Sequence, residues 1–172
     1  MFREALERAE TLRMERSIPY LLANLGECLF ELGHTDDAVI NLQKALRSVK
    51  EQDNAALKVA LLAELGRVEG ARGNRDRSRQ CFEESLTTGQ RLAEASLLLH
   101  TLTRLAERVI HDDPRRVRSW LQGVAHHPSA DYRDKKQAES LLHYVLEGDA
   151  SLPAKVSAVD GLVQDALKYL QQ

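Results

Sequence analysis

Apolar residues recur at helical spacing along nearly the whole chain. Between residues 18 and 49, Leu22, Leu25, Leu29 and Leu32 form one stripe, and Ala38, Leu42, Ala45, Leu46 and Val49 form a second. Each has the spacing of one face of an amphipathic helix. Gly33 between them predicts a helix stop, because glycine takes the left-handed cap conformation without a Cβ penalty. Gly26 and Ala38 fall where two antiparallel helices must approach closely, and each leaves room for its partner. The stretch then repeats. A shift of forty places Leu22, Leu25, Gly26, Gly33, Leu42 and Leu46 on Leu62, Leu65, Gly66, Gly73, Phe82 and Leu86. Shifted back by forty, Leu42, Ala45 and Leu46 land on Phe2, Ala5 and Leu6, and shifted forward by eighty, Leu22 and Leu25 land on Leu102 and Leu105. A shift of 120 still carries Leu25 to Val145, Ala38 to Ala158 and Leu42 to Leu162. Self-similarity at a fixed period is the mark of a solenoid.

The pattern predicts about nine helices and no strand. They are expected at Phe2 to Met14, Ser17 to Leu32, Thr35 to about Lys50, Ala55 to Ala71, Arg75 to about Thr88, Leu92 to Ile110, Pro114 to about His126, Asp131 to Glu147, and Pro153 to Leu170. Ser17 is the expected cap of the second, with Pro19 in its first turn, and Asp113-Pro114 opens the seventh. The seventh ends before Pro128, since the residue preceding proline disfavours helical geometry. Grouped by period, residues 17–50, 54–88, 91–126 and 131–171 form helix pairs, and residues 1–16 are a second-type helix without its first. The expectation is one all-α domain over 1–172, a right-handed solenoid of antiparallel pairs cut from a longer one. Its bare end would carry Phe2, Leu6 and Leu12, an apolar stripe prone to homo-oligomer formation.

These residues resemble the tetratricopeptide repeat family. The resemblance rests on Leu25-Gly26, Gly33, Ala38, Leu42 and Ala45-Leu46, and again on Leu65-Gly66, Gly73, Phe82 and Leu86. Here Leu22 and Leu62 replace the family's early aromatic, the closing proline is absent, and Ser78 and Ser85 replace two alanines. The period of forty exceeds the family's usual 34 and is similar to that of large bacterial transcription activators and peptide-sensing regulators.

Composition adds exclusions. Aromatics are 5% and apolar residues 43%, mostly Leu and Ala, which suits helix-on-helix packing rather than sheets. The net charge of −2 gives no bulk attraction to nucleic acid or anionic membranes. No run of eighteen apolar residues and no apolar leader is present, so no membrane partner is expected. Cys28 and Cys81 have neither metal nor redox spacing and read as free thiols of a cytoplasmic protein.

Candidate chemistry is sparse. The six histidines are scattered, and adjacent His126 and His127 diverge on a helix, so no metal site is expected. No HExxH, CxxC, phosphate-binding glycine loop or paired-carboxylate arrangement occurs, so neither enzyme activity nor a cofactor is expected. Arg67, Arg72, Arg75, Arg77 and Arg79 surround one turn. Without interleaved aromatics for base stacking they read as a solvated turn rather than a nucleic-acid or acidic-partner surface. Trp120, spaced with Val117, Leu121 and Val124, reads as core.

The resemblance implies a module that binds a protein or peptide. The alternative is a ligand- or peptide-sensing, oligomerising segment of a bacterial transcription regulator. In a tetratricopeptide stack the first helix of each pair lines the concave face. The corresponding positions here are Tyr20, Ala23, Glu27 and Glu31, then Ala60, Ala63 and Arg67, then His100, Thr103 and Glu107, and finally His143. Their acidic excess favours a peptide carrying basic or amide groups.

Overall fold

A computed structural model describes residues 2–52, 54–148 and 158–172. These form nine helices and no strand: α1 (Phe2–Thr11), α2 (Ile18–Glu31), α3 (Thr35–Gln52), α4 (Ala55–Ala71), α5 (Arg75–Leu92), α6 (Ala95–Val109), α7 (Pro114–His126), α8 (Tyr132–Gly148) and α9 (Val159–Leu170). The expected helix start at Pro153 lies outside the described residues. No described helix is long and apolar enough to cross a membrane.

The helix ends are set by local chemistry. Gly33 and Gly73 adopt φ of +82° and +81°. After them the chain folds back identically: the His34 N–H donates to Leu29 O at 2.8 Å and the Asn74 N–H to Glu69 O at 2.9 Å. This is the six-to-one bond of a Schellman cap. Arg13 and Ala93 take the same left-handed conformation, with φ of 52° and 54°. Ala93 therefore ends α5 at Leu92, and α6 begins at Ala95 rather than at Leu92 as the apolar pattern suggested. The Asn54 side chain accepts from the Leu57 N–H at 3.0 Å to start α4, and Asp113 accepts from the Arg116 N–H at 3.1 Å to start α7. Ser17 precedes α2 but makes no side-chain cap bond, which leaves Pro19 as the start signal.

The α2–α3 hairpin closes at Gly26, where an added Cβ would lie 2.9 Å from Leu42 Cγ. Forty residues on, the α4–α5 hairpin closes the same way, with a Cβ on Gly66 3.0 Å from the Phe82 ring. Leu42 and Phe82 are both fully buried, which stabilises each joint by about 1.5–3 kcal/mol. Ser78 and Ser85 are buried too, and their hydroxyls add bonds that alanine could not make. Ser78 Oγ donates to Gly66 O at 2.7 Å, and Ser85 Oγ donates to Val59 O at 2.9 Å. Helix α4 packs against α2, α3, α5 and α6 and is buried on nearly every face. One core lies on the α1–α5 side, and a second, around Phe82, Leu102, Trp120 and Leu162, lies on the α5–α9 side.

Two expectations fail. Helix α1 lies on α2 and leaves Phe2 and Leu6 half-buried, so of the expected stripe only Leu12 is exposed, with Met14 exposed beside it. The pair expected over residues 131–171 does not form, because α8 packs on α7 and α6 while α9 lies against α5, α6 and α7. The reason is visible at Gly123 and Trp120. The bare backbone at Gly123 admits Leu162, whose Cδ1 would collide with a Cβ there. Trp120 Nε1 donates to Asp165 Oδ2 at 2.9 Å, and the Tyr169 ring meets Trp120 edge-on at 6.1 Å. The broad apolar face of α9 (Leu162, Val163, Ala166, Leu170) is buried against this surface instead of against α8.

Candidate functional site

The period of forty brings charges of opposite sign onto α2, α4 and α6. Glu64 of α4 and Arg104 of α6 are one period apart, and so are Glu27, Arg67 and Glu107 of α2, α4 and α6. Stacking these helices places Arg104 beside Glu64 and Arg67 beside Glu107, while Glu27 lies 3.8 Å from Arg104. Arg104 Nε donates to Glu64 Oε1 at 2.6 Å, Arg104 Nη1 donates to Glu107 Oε1 at 3.0 Å, and Arg67 Nη1 lies 3.5 Å from Glu107 Oε2. Arg67 Nη1 also donates to Glu31 Oε1 at 2.9 Å, while its Nη2 stands 2.9 Å from Glu64 Oε2 without hydrogen-bond alignment. The Arg67 guanidinium stacks 4.5 Å over the Phe30 ring.

Helix α8 completes the cluster from the other side. Asp131 caps its start by accepting from the Asp134 N–H at 2.8 Å. The buried Asp134 carboxylate then meets His100 Nδ1 at 3.1 Å, while His100 Nε2 stands 3.6 Å from Glu64. Arg133, on the exposed side of the same turn, donates to Glu27 Oε1 at 2.8 Å across 106 residues of sequence. A groove of about 490 Å³ opens above, lined by Glu27, Glu31, Arg67, Arg104 and Glu107 on one side and by Tyr132, Arg133, Lys136 and Gln137 of α8 on the other.

Mutual compensation explains how so many charges are tolerated. Burial by itself would raise the Glu64 carboxyl, but Arg104, Arg67 and His100 outweigh it and hold the carboxyl below its usual range. Burial works against a charged His100, yet the hydrogen bond and charge of Asp134, with Glu64 behind, raise its pKa. Burial raises the Glu107 carboxyl, and Arg104 and Arg67 only partly offset this. Burial also pushes the Cys81 thiol up to about 11, while Cys28 is exposed and both are free.

Of the positions expected to face a partner, Glu27, Glu31, Arg67 and Glu107 share this groove, and His100 joins them through Glu64. Ala63 and Thr103 do not line it. Both are fully buried, because α4 and α6 pack directly on each other there, and the Thr103 hydroxyl bonds back to Leu99 O at 2.9 Å. Ala23 and Ala60 are half-buried, Ala23 against the core of the α1–α5 side. Tyr20 lies near the start of α2, its hydroxyl accepting from Asn54 Nδ2 at 3.0 Å, and His143 is exposed on α8. Sequence reasoning missed Glu64, Arg104, Arg133 and Asp134. For Glu64 and Arg104 a signal existed, since they share the forty-residue register and precede Arg67 and Glu107 by three residues, on the same helix face. Nothing in the sequence pointed to Arg133 or Asp134, because only packing brings α8 there. The arginine turn disperses: Arg67 turns inward, Arg72 pairs with Asp36 at 2.8 Å, and Arg77 donates to Gln80 at 3.4 Å.

Among the described residues no group of three or more His, Cys, Asp or Glu side chains is placed to hold a metal ion. No protein-family model matches the chain, and neither a curated protein nor a solved structure matches it.

Proposed function

We propose that the chain is a tetratricopeptide-like stack of helix pairs that binds a protein or peptide through the α2–α4–α6–α8 groove, with basic side chains as the preferred ligand groups. Support for the stack comes from the two joints at Gly26 and Gly66, built alike forty residues apart. The observation that carries the binding reading is Arg133 on Glu27. A guanidinium 73% exposed already sits on a groove carboxylate at 2.8 Å, in the way a partner's arginine would. Around the groove five carboxylates (Glu27, Glu31, Glu64, Glu107, Asp134) meet the guanidiniums of Arg67, Arg104 and Arg133 and the imidazole of His100. The lining cations are already engaged, Lys136 by Glu139 at 2.7 Å and the arginines by these carboxylates, whereas Glu31 is 63% exposed and leaves an accessible carboxylate at the mouth. Leu12 and Met14 offer a separate apolar end for self-association.

The test is capture of a partner by the full-length protein, followed by charge reversal at the mouth. Glu31→Lys and Glu27→Lys should each weaken binding about tenfold, mostly through the association rate, without lowering the thermal midpoint. Retained affinity in both variants would move the site elsewhere.

A further inference from the structure

We propose that the hollow between α5, α6 and α9 is a second docking site, for an acidic segment of a partner protein that seats one bulky apolar side chain between arginines. The hollow is about 260 Å³, with Phe82, Leu105 and Leu170 in its floor and Arg75, Arg79 and Arg108 on its rim. Arg75 and Arg79 are one turn apart on α5, and Arg108 arrives from α6, so only the fold assembles the triplet.

The charge there is unbalanced, in a chain whose net charge is −2. Asp112 is the single acidic side chain in the described lining. Arg108 reaches it at 3.3 Å and Arg79 reaches the exposed Asp76 at 3.4 Å, both long, solvent-facing contacts of small energetic weight. Arg75 makes no ion pair among the described residues. Guanidiniums with spare donors match carboxylates in a two-point geometry, and a buried apolar floor beneath them rewards an adjacent large side chain. The chemistry is therefore that of a carboxylate-flanked apolar anchor.

Size and surroundings select the occupant. The volume falls just below the roughly 300 Å³ at which small-molecule pockets begin, so one side chain fits better than a free ligand. Nucleic acid is disfavoured because neither aromatic ring of the lining offers a free stacking platform: Phe82 is fully buried, and Tyr169 is already engaged by Trp120 and by the Arg116 guanidinium at 5.3 Å. The hollow shares no lining residue with the α2–α4–α6–α8 groove, so it does not rest on the reading given for that groove.

The experiment titrates the whole chain with a fluorescein-labelled peptide of glutamates around a central Leu-Phe pair, read by anisotropy. Two control peptides carry lysines for the glutamates or alanines for Leu-Phe, and a single-stranded oligonucleotide is the third probe. The expected result is micromolar binding of the first peptide alone. It should be weakened at least about tenfold by Arg75→Glu with Arg79→Glu, at an unchanged thermal midpoint, and untouched by Glu27→Lys. Equal binding of the alanine control, tighter binding of the oligonucleotide, or indifference to the α5 double variant would overturn the proposal, as would no binding at all.

Discussion

Arg104 of α6 and Glu64 of α4 meet through a 2.6 Å hydrogen bond although forty residues separate them, and both side chains are about nine-tenths buried. This bond ties the middle of α4 to the middle of α6. Removing one member strands the other in a low-dielectric site. Arg104→Met should therefore cost about 3–5 kcal/mol in urea unfolding, whereas Arg104→Met with Glu64→Met should cost clearly less than the single change. Additive losses in that double-mutant cycle would show that the pair is not coupled.

His100 gives the cluster a pH response of defined sign. Burial works against its charge, but its folded-state pKa is raised, because Asp134 and Glu64 face it from α8 and α4 and outweigh both burial and Arg104 beside it on α6. A raised folded-state pKa means that the protonated form stabilises the fold. That contribution is complete below the unfolded value of about 6.5 and is lost as pH rises through the folded value. The urea midpoint should fall between mildly acidic and alkaline pH, and His100→Gln should flatten that slope. A midpoint rising over the same range in the native chain, relative to His100→Gln, would reverse the assignment.

The two kinds of glycine should respond differently. At Gly33 and Gly73 a Cβ meets nothing within 4 Å, so Gly→Ala there costs only the left-handed backbone strain, about 1 kcal/mol. At Gly26 and Gly66 the obstacle is the core side chain of Leu42 or Phe82, and Gly→Leu should cost more, about 1–3 kcal/mol or above, through overpacking. Denaturant midpoints that rank the two pairs the other way would contradict the hairpin joints.

Trp120 holds α9 in place. Trp120→Phe keeps an aromatic ring but removes the 2.9 Å bond to Asp165 and leaves a small cavity in the core. The expected loss is about 1–3 kcal/mol, accompanied by faster hydrogen exchange confined largely to the α9 amides. Unchanged exchange in α9 would mean that its apolar face alone secures it.

Removing Arg133 tests whether α8 competes for the groove. Arg133 is mostly exposed and its ion pair with Glu27 carries little stability. Arg133→Ala should leave the thermal midpoint nearly unchanged and tighten binding of a basic peptide by a few-fold. Weaker binding in that variant would make Arg133 part of the recognition surface itself.

The sequence determined the elements and their first joints. Stripes at Leu22 and Leu42, the stops at Gly33 and Gly73, and the small residues at Gly26 and Gly66 act within a single hairpin. There, spacing along the chain and position in space are rigidly linked by helix geometry, so the period of forty could be read directly. The register also held the groove charges Glu27, Arg67 and Glu107, together with the Glu64 and Arg104 that complete them. What it could not hold was whether those charges faced a ligand or one another. That depended on how closely α4 and α6 stack, a distance set by side-chain packing rather than by any residue's identity. The position of α9 was decided in the same way. Its apolar face fitted α8 or the Trp120 surface equally well as a pattern. Only the gap left at Gly123 for Leu162 and the indole donor waiting for Asp165 made one burial better than the other, and such complementarity between distant segments exists only once the chain has folded.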